Sequence, residues 1–317
     1  MLEHFENQLT FFKKSIDSKL FSLSKKRIIF VFGGPYDFVS DNETETFRNE
    51  FFKKTEHLET EQDFVFLYAE DLFKKLEFFS DQYRYVNIAL IERVAGFVVD
   101  AIIIFPESVG SYCEIGYFAH SNSLKQKILV ANQEKYIEKP SFLTLGIIDI
   151  IEKDSNYRGG VIPLTKGACN LERFNRALNR IRLRLTSNAN KKLDFSKLNR
   201  SSSDREENNL YYRFRCIVFF EIIHFFSYIT FSDAKKAFKT VMGGFEDDEL
   251  EVYSALLLSL DFIRNHEEYV DVLSVSKESS FLFSQKMLDA LNSTRLEINA
   301  IHKAQMTYPY KVFKGEV

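Results

Sequence analysis

The chain has 317 residues, enough for two domains or for one domain with a smaller module. Apolar residues make up 45% of it, ample for a packed core, and a net charge of −3 excludes a polycation that coats nucleic acid. Contact with nucleic acid would have to come from local patches. The three cysteines, Cys113, Cys169 and Cys216, form no CxxC and have no His at metal spacing. That usage points to a reduced, cytoplasmic protein with no metal site.

Residues 1–24 predict an amphipathic helix, with Phe5, Leu9, Phe12, Ile16 and Leu20 at helical spacing. The opening MLEHFENQLTFFKKS lacks the charge order and apolar stretch of a signal peptide, and no apolar run nears the length of a membrane span. Ile28–Phe32 reads as a short buried strand stopped by Gly33-Gly34-Pro35. Residues 43–58 predict a helix, and QDFVFLYAEDLF a second strand ending near Ala69. Residues 71–95 predict another helix, and FVVDAIIIF a third strand. A helix follows over 111–123, then the strand KQKILVAN. GIIDIIEK fits either helix or strand, and GVIPLT fits a fifth strand.

These strands are near-continuous apolar runs rather than alternating ones, the mark of a parallel sheet covered on both faces. Strands alternating with helices predict an α/β fold with right-handed crossovers. Ligands of such sheets bind at the carboxyl ends of the strands. The turns at 33–37, 69–71, 105–111 and 131–133 would lie there.

Beyond residue 167 the pattern changes. LERFNRALNRIRLRLTSNANKK predicts an amphipathic helix with Arg173, Arg176, Arg180 and Arg184 off its apolar face, and NRSSSDREENN (199–209) reads as a linker. From 210 the chain predicts a mostly helical module. LYYRFRCIVFFEIIHFFSY, TFSDAKKAFKT and DDELEVYSALLLSLDFIRN would be helices, and EEYVDVLSVSKESSFLFS two strands joined by SKESS. Three helices followed by a hairpin is the order of a winged helix, related to the helix-turn-helix DNA readers. Lys235, Lys236 and Lys239 would give its second helix a basic patch, and the Arg-rich helix a phosphate contact or a solvated face.

The segment with most chemistry is FPESVGSYCEIGYFAHS, residues 105–121. Glycine turns at strand ends let backbone N–H groups approach an anion. FGGP and SVGS both qualify, but neither continues as a P-loop or as GxGxxG. Glu114 falls near the start of a helix, where the dipole favours a charged carboxylate. Such a group suits stabilising the sugar cation that forms when a C1′–N glycosidic bond breaks. The same spacing, Ser111 with Glu114 three residues on, is also that of a capping box. His120 lies nearly opposite Glu114 on the helix, and no Ser-His-Asp grouping is visible. Asp37 and Asp71 fit the carboxyl edge and would hold ribose hydroxyls, Tyr36 would stack on a base, and Asp100 would lie nearer the opposite edge.

VDAIIIFPESVGSYCEIGYFAHSNSLKQKILVA resembles the central segment of the nucleoside 2-deoxyribosyltransferase family: an aspartate-led strand, a polar loop with Gly, Glu-(Ile/Leu)-Gly-Tyr on a helix, and a strand preceded by Lys. IIFVFGGP resembles that family's first strand and turn. The resemblance covers roughly residues 26–135 and implies that Glu114 is the catalytic carboxylate. It implies a nucleotide-like substrate, and by their position at the strand-end turns Gly33, Gly34, Pro35, Tyr36, Asp37, Asp71, Ser108, Gly110 and Ser111 are the residues expected to hold it. Where that family carries an acid for the base, this chain has Glu107 and Ser108. GSYCE is also similar to the Gly-(Ser/Thr)-x-x-Glu of the lysine-decarboxylase-like phosphoribohydrolases, so hydrolase and transferase both stay open.

The whole layout resembles the effectors of bacterial retrons, in which an antiphage toxin is held by a reverse transcriptase and its multicopy single-stranded DNA (msDNA). The expected organisation is therefore an N-glycosidase domain over 1–167, an Arg-rich helix and linker over 168–209, and a winged-helix-like partner- or DNA-binding domain over 210–317. The expected activity is cleavage of an N-glycosidic bond in a deoxynucleotide or NAD, without a cofactor. The family implies an oligomer and no membrane. The rival reading is a non-catalytic module in which the same pocket senses a nucleotide and the C-terminal part binds DNA or a partner.

Overall fold

The computed structural model describes residues 9–10, 13, 27–34, 46–49, 51–52, 64–79, 87–137, 139–157, 161–164, 172, 179, 183, 209–226, 228–244, 249–266 and 269–276. Its first half is a five-stranded parallel sheet of β1 (Arg27–Phe32), β2 (Phe64–Tyr68), β3 (Ala101–Ile104), β4 (Ile128–Gln133) and β5 (Val161–Leu164). The order is β2-β1-β3-β4-β5. Strand order therefore reverses between β1 and β3, and the loops leaving these two strands face each other at the carboxyl edge.

Unbroken apolar runs produce this sheet because both of its faces are covered. On β1, Ile28, Phe30 and Phe32 enter one core and Ile29 and Val31 the other. The first face carries α1 (Ala69–Phe79), α2 (Ile88–Val98) and α3 (Val109–His120). The second face holds Phe47 and Phe51, from the helical residues 47–49 and 51–52, together with Tyr157. After β4 come α5 (Glu134–Ile137), a π-helical segment Leu143–Ile148 and α6 (Asp149–Asp154); a one-turn helix, α4 (Asn122–Lys125), precedes β4. GIIDIIEK is thus helical.

Two boundaries differ from expectation. The run FVVDAIIIF divides: Phe97 and Val98 end α2, and β3 begins at Ala101. Apolarity alone does not separate a buried helix end from a buried strand. The single helix expected over 71–95 is two helices, α1 and α2. Of the N-terminal helix, Leu9, Thr10 and Lys13 lie among the described residues and are helical, and Leu9 is buried in the first core.

The second half comprises α7 (Asn209–Phe226), β6 (Tyr228–Thr230), α8 (Phe231–Met242), α9 (Glu249–Ser259), β7 (Ile263–His266) and β8 (Tyr269–Val275). The antiparallel sheet has the order β6-β8-β7. Helix, strand, two helices and a hairpin with the third strand in the middle make a winged-helix arrangement. The hairpin sits earlier than expected. IRNH, read as the tail of a helix, is β7, because the helix stops at Ser259 and Asp261 takes a left-handed φ of 52°. His266 pairs with Tyr269, and SSFLFS lies outside the described residues. The short β6 escaped the sequence because three residues carry no period.

The two halves share one core. Helix α7 packs on α2, where Phe97 and Tyr212 stack with centroids 4.9 Å apart, and α9 packs on α1. Arg213 of α7 pairs with Asp100 at the start of β3, and Asp100 Oδ2 also accepts from the Ile28 amide at 2.9 Å. Both groups are buried. Asp100 thus sits at the edge opposite the carboxyl ends, as its position in the sequence suggested, and ties the two halves together.

Candidate functional site

Helix α3 starts at Ser108, not at Ser111. Ser108 Oγ accepts from the Ser111 amide at 3.1 Å, and Ser111 Oγ accepts from the Ser108 amide at 3.0 Å. This reciprocal pair is a capping box built from two serines. The expected Ser111–Glu114 box does not form, since Ser111 is already the third residue of the helix. Gly110 lies in the same first turn, and a Cβ there would stand 4.0 Å from Glu114 Oε1.

Glu114 is therefore released from capping. Its Oε2 is buried and has no hydrogen-bond partner among the described residues. Burial pushes its carboxyl up to about 7; Arg48 opposes that rise and Glu70 adds to it. The expectation that the helix dipole would keep this carboxylate strongly ionised is corrected here, because desolvation outweighs it.

Sequence reasoning missed the groups that surround Glu114. Arg48, from the helical residues 47–49, is 1% exposed. Its Nη1 donates to Glu70 Oε1 at 2.7 Å and to the Gly34 carbonyl at 2.9 Å, and Nη2 donates to Glu70 Oε2. Glu92 on α2 is 6% exposed, and burial followed by repulsion from Glu114 and Glu70 raises its carboxyl to about 8. A lone Arg within FRNEFF and a Glu within IALIERV give no spacing signal. Their only trace is a charge embedded in an apolar stretch.

The glycine turn after β1 serves the protein's own groups. A Cβ at Gly33 would come within 2.8 Å of Arg48 Cδ and 3.0 Å of Phe105 Cβ, so only glycine lets Arg48 lie across the turn. The Gly33 carbonyl accepts from Ser108 Oγ at 3.4 Å. Glu107 accepts from the amides of Phe47 at 2.6 Å and Arg48 at 3.3 Å, and the Gly34 amide also bonds it. The anion beside FGG is thus Glu107, which clamps three segments together. Burial raises the Glu107 carboxyl and these amides pull it back.

Asp71 lies in the first turn of α1, half-buried, with its carboxyl raised first by burial. Its carbonyl accepts from Ser259 Oγ of α9 at 3.2 Å. The structure thus brings Gly33, Gly34, Ser108, Gly110, Ser111 and Glu114 to the switch point, with Asp71 at the neighbouring strand end. Pro35, Tyr36 and Asp37 lie outside the described residues, as do Arg173, Arg176, Arg180 and Arg184. His120 is exposed at the far end of α3, and Cys113 is exposed. Lys127, which precedes β4, points away from this edge. Its Nζ donates to the carbonyls of Gly96, Phe97 and Val99 at the end of α2, and burial lowers it to about 7. Among the described residues no His/Cys/Asp/Glu group gathers that could hold a metal ion, and no helix is long and apolar enough to cross a membrane.

The C-terminal lysines are largely committed. Lys235 pairs with buried Glu251 of α9 and lies 4.7 Å over the Phe231 ring. Lys236 pairs with Asp233 at 3.0 Å, and Lys239 is exposed. Helix α9, second of the helix-turn-helix pair, is buried from Glu249 to Leu258.

Residues 44–265 match a family model described as STM3845 retron effector protein. Two curated proteins of Escherichia coli are similar over shorter stretches. The retron Ec73 putative ribosyltransferase/DNA-binding protein is 35% identical over 114 residues, 34% of each chain. The retron Ec86 putative ribosyltransferase/DNA-binding protein is 33% identical over 91 residues, 29% of each chain. The matched stretches span about a third of the length of these relatives.

Proposed function

The chain belongs to the retron effector family, and from that premise we infer that it cleaves the N-glycosidic bond of a nucleotide-like substrate with Glu114 as the key carboxylate. One observation carries the reading. A carboxylate oxygen is buried, without a partner among the described residues, at the topological switch point of a parallel sheet, on a helix whose cap it does not serve. A buried acceptor left unpaired costs about 1–3 kcal/mol, so it is kept for something that binds.

In the reaction, the bonding pair of C1′–N leaves with the base and positive charge builds on C1′ and the ring oxygen. The Glu114 carboxylate lies in a desolvated site, where its attraction for that charge is strong. Water oxygen, or a second acceptor, then bonds to C1′. With water, one proton goes to a nucleobase leaving as an anion, and Glu92 holds a proton near neutral pH. A nicotinamide leaving group needs no proton, because its positively charged ring departs neutral. Deoxynucleotides and NAD are therefore both candidates.

The names of the two relatives couple ribosyl transfer with DNA binding. We propose further that the C-terminal half docks a retron reverse transcriptase and its msDNA, which hold the toxin in check. With α9 enclosed, such docking falls to Lys239 on α8 and to Arg173, Arg176, Arg180 and Arg184.

The test is base release. Wild type and Glu114→Gln are incubated with NAD and a panel of nucleosides and nucleotides, alone and with the reverse transcriptase–msDNA partner. Turnover by wild type and its loss in the variant supports the enzyme. No turnover by either, with equal nucleotide binding, would leave a nucleotide-sensing module instead.

A further inference from the structure

Asn132 is the next-to-last residue of β4, at the carboxyl edge. Side chains alternate along a strand, so Asn132 shares the sheet face of Ile128 and Val130. That face packs in the same core as Ile115 and Phe118, the inward residues of the helix that carries Glu114. In register, Ile104 of β3 opposes Val130, which sets Asn132 beside the start of the Phe105–Ser108 loop. On the other side its partner is Pro163.

Asn132 is 2% exposed, and its Nδ2 has no hydrogen-bond partner among the described residues. A carboxamide is a poor choice for that position on stability grounds. Leu or Val would pack there without stranding two N–H donors. The same edge also holds the stranded acceptor, Glu114 Oε2. A donor and an acceptor, each buried and without a partner among the described residues, thus belong to one edge of one layer.

We propose that Asn132 is a substrate-binding residue whose amide donates to an oxygen or nitrogen acceptor of the N-glycoside held against Glu114. The proposal rests on the glycosidase reading and deepens it. Glu114 meets the carbon that becomes cationic. Asn132 fixes the same molecule through a neutral donor, which orients without adding a charge that would compete with Glu114. A neutral donor suits a hydroxyl, a carbonyl or a ring nitrogen, the acceptors that sugars and bases offer. It is a weak choice for a phosphate, which a cation would hold.

Two variants test it in the full-length chain. Asn132→Ala removes the donor with the whole carboxamide, and Asn132→Leu replaces it by an apolar group of similar size. With a substrate that wild type turns over, both are expected to raise KM at least ten-fold, with a smaller fall in kcat. Turnover lost in Glu114→Gln but an unchanged KM in both Asn132 variants overturns the inference and leaves the glycosidase reading standing. Two further readouts need no turnover. In the Glu114→Gln background, adding Asn132→Leu is expected to weaken binding of NAD or deoxyadenosine at least ten-fold; equal affinity overturns the inference. The ligand-free Tm of Asn132→Leu is expected to equal or exceed that of wild type. A lowered Tm would show that the amide serves the fold, and would also overturn it.

Discussion

The guanidinium of Arg48 is committed to both carboxylate oxygens of Glu70, not to Glu114. Arg48 still lowers the Glu114 carboxyl through space, but burial prevails. The site thus contains a cation that pulls on Glu114 without neutralising it. A carboxylate fully paired with Arg would have little attraction left for a sugar cation.

Removing that cation has two expected effects. Arg48→Met strands Glu70, which is half-exposed, and leaves the Gly34 carbonyl without its donor. The expected loss of stability is about 2–3 kcal/mol, below the full cost of breaking a wholly buried pair. Denaturant unfolding measures it. The pH at which base release reaches half its maximum is also expected to move upward, since Glu114 loses its nearest positive charge.

The pH profile of the wild type follows from the same groups. Glu114 acts as an anion, so kcat/KM is expected to rise with pH through about 7. Glu92 and Glu114 repel each other, so the observed value belongs to the pair. Glu114 loses its proton first, while Glu92 is still neutral, so Glu92→Gln is expected to leave the rise near pH 7 in place. A profile flat from pH 5.5 to 8.5 would count against Glu114 as the acting carboxylate.

Glu92 also makes a stability prediction. Its carboxyl is raised in the folded protein from 4.5 to about 8, so folding favours its protonated form. Its favourable contribution is complete below pH 4.5 and is lost as pH rises through about 8. Glu92→Gln should therefore match wild type near pH 4.5 and exceed it at pH 8.5, by on the order of 2 kcal/mol. Thermal melts at the two pH values decide this. A variant less stable at pH 8.5 would show that the charged form is the one the fold prefers.

Much of this architecture was legible because buried parallel strands announce themselves. IIFVF, FVFLY and AIIIF are apolar through both faces, and Gly-Gly stops the first and Pro-Glu-Ser the last at the ligand edge. Glu114 was legible because Glu-Ile-Gly-Tyr follows such a turn. What surrounds Glu114 was not. Arg48 and Glu92 reach it from helices far off in sequence, and helix periodicity records burial, not the partner across the gap. The capping pair was misread by one turn because Ser108 and Ser111 both fit the pattern. Only the backbone shows which of them starts the helix.

The Ser108–Ser111 pair makes its own prediction. Ser108→Ala removes the cap acceptor and the contact with the Gly33 carbonyl. The expected cost is about 1 kcal/mol. Because the same turn sets the height of Glu114, base release is expected to fall further than stability does. Ser108→Asp restores an acceptor for the helix amides, so stability is expected to recover. Its new negative charge near Glu114 would keep activity low, which separates the cap from the chemistry.

The join between the halves gives the last prediction. Asp100 and Arg213 are both buried, and Asp100 also holds the Ile28 amide at the start of β1. Arg213→Ala leaves Asp100 charged and half-paired in a dry interior, at an expected cost of 3–5 kcal/mol, taken as about the value for a broken buried pair. Tyr212 stacked on Phe97, and α9 buried along α1, make the same boundary apolar. Loss of the pair should therefore be felt in both halves at once. Wild type is expected to unfold in a single transition when followed by far-ultraviolet circular dichroism and by Tyr fluorescence. Arg213→Ala is expected to lower that transition without splitting it. Two separated transitions in the wild type would mean that α7 and α9 are held by their own module, and that α9 is free to leave the N-terminal half and meet a nucleic-acid groove.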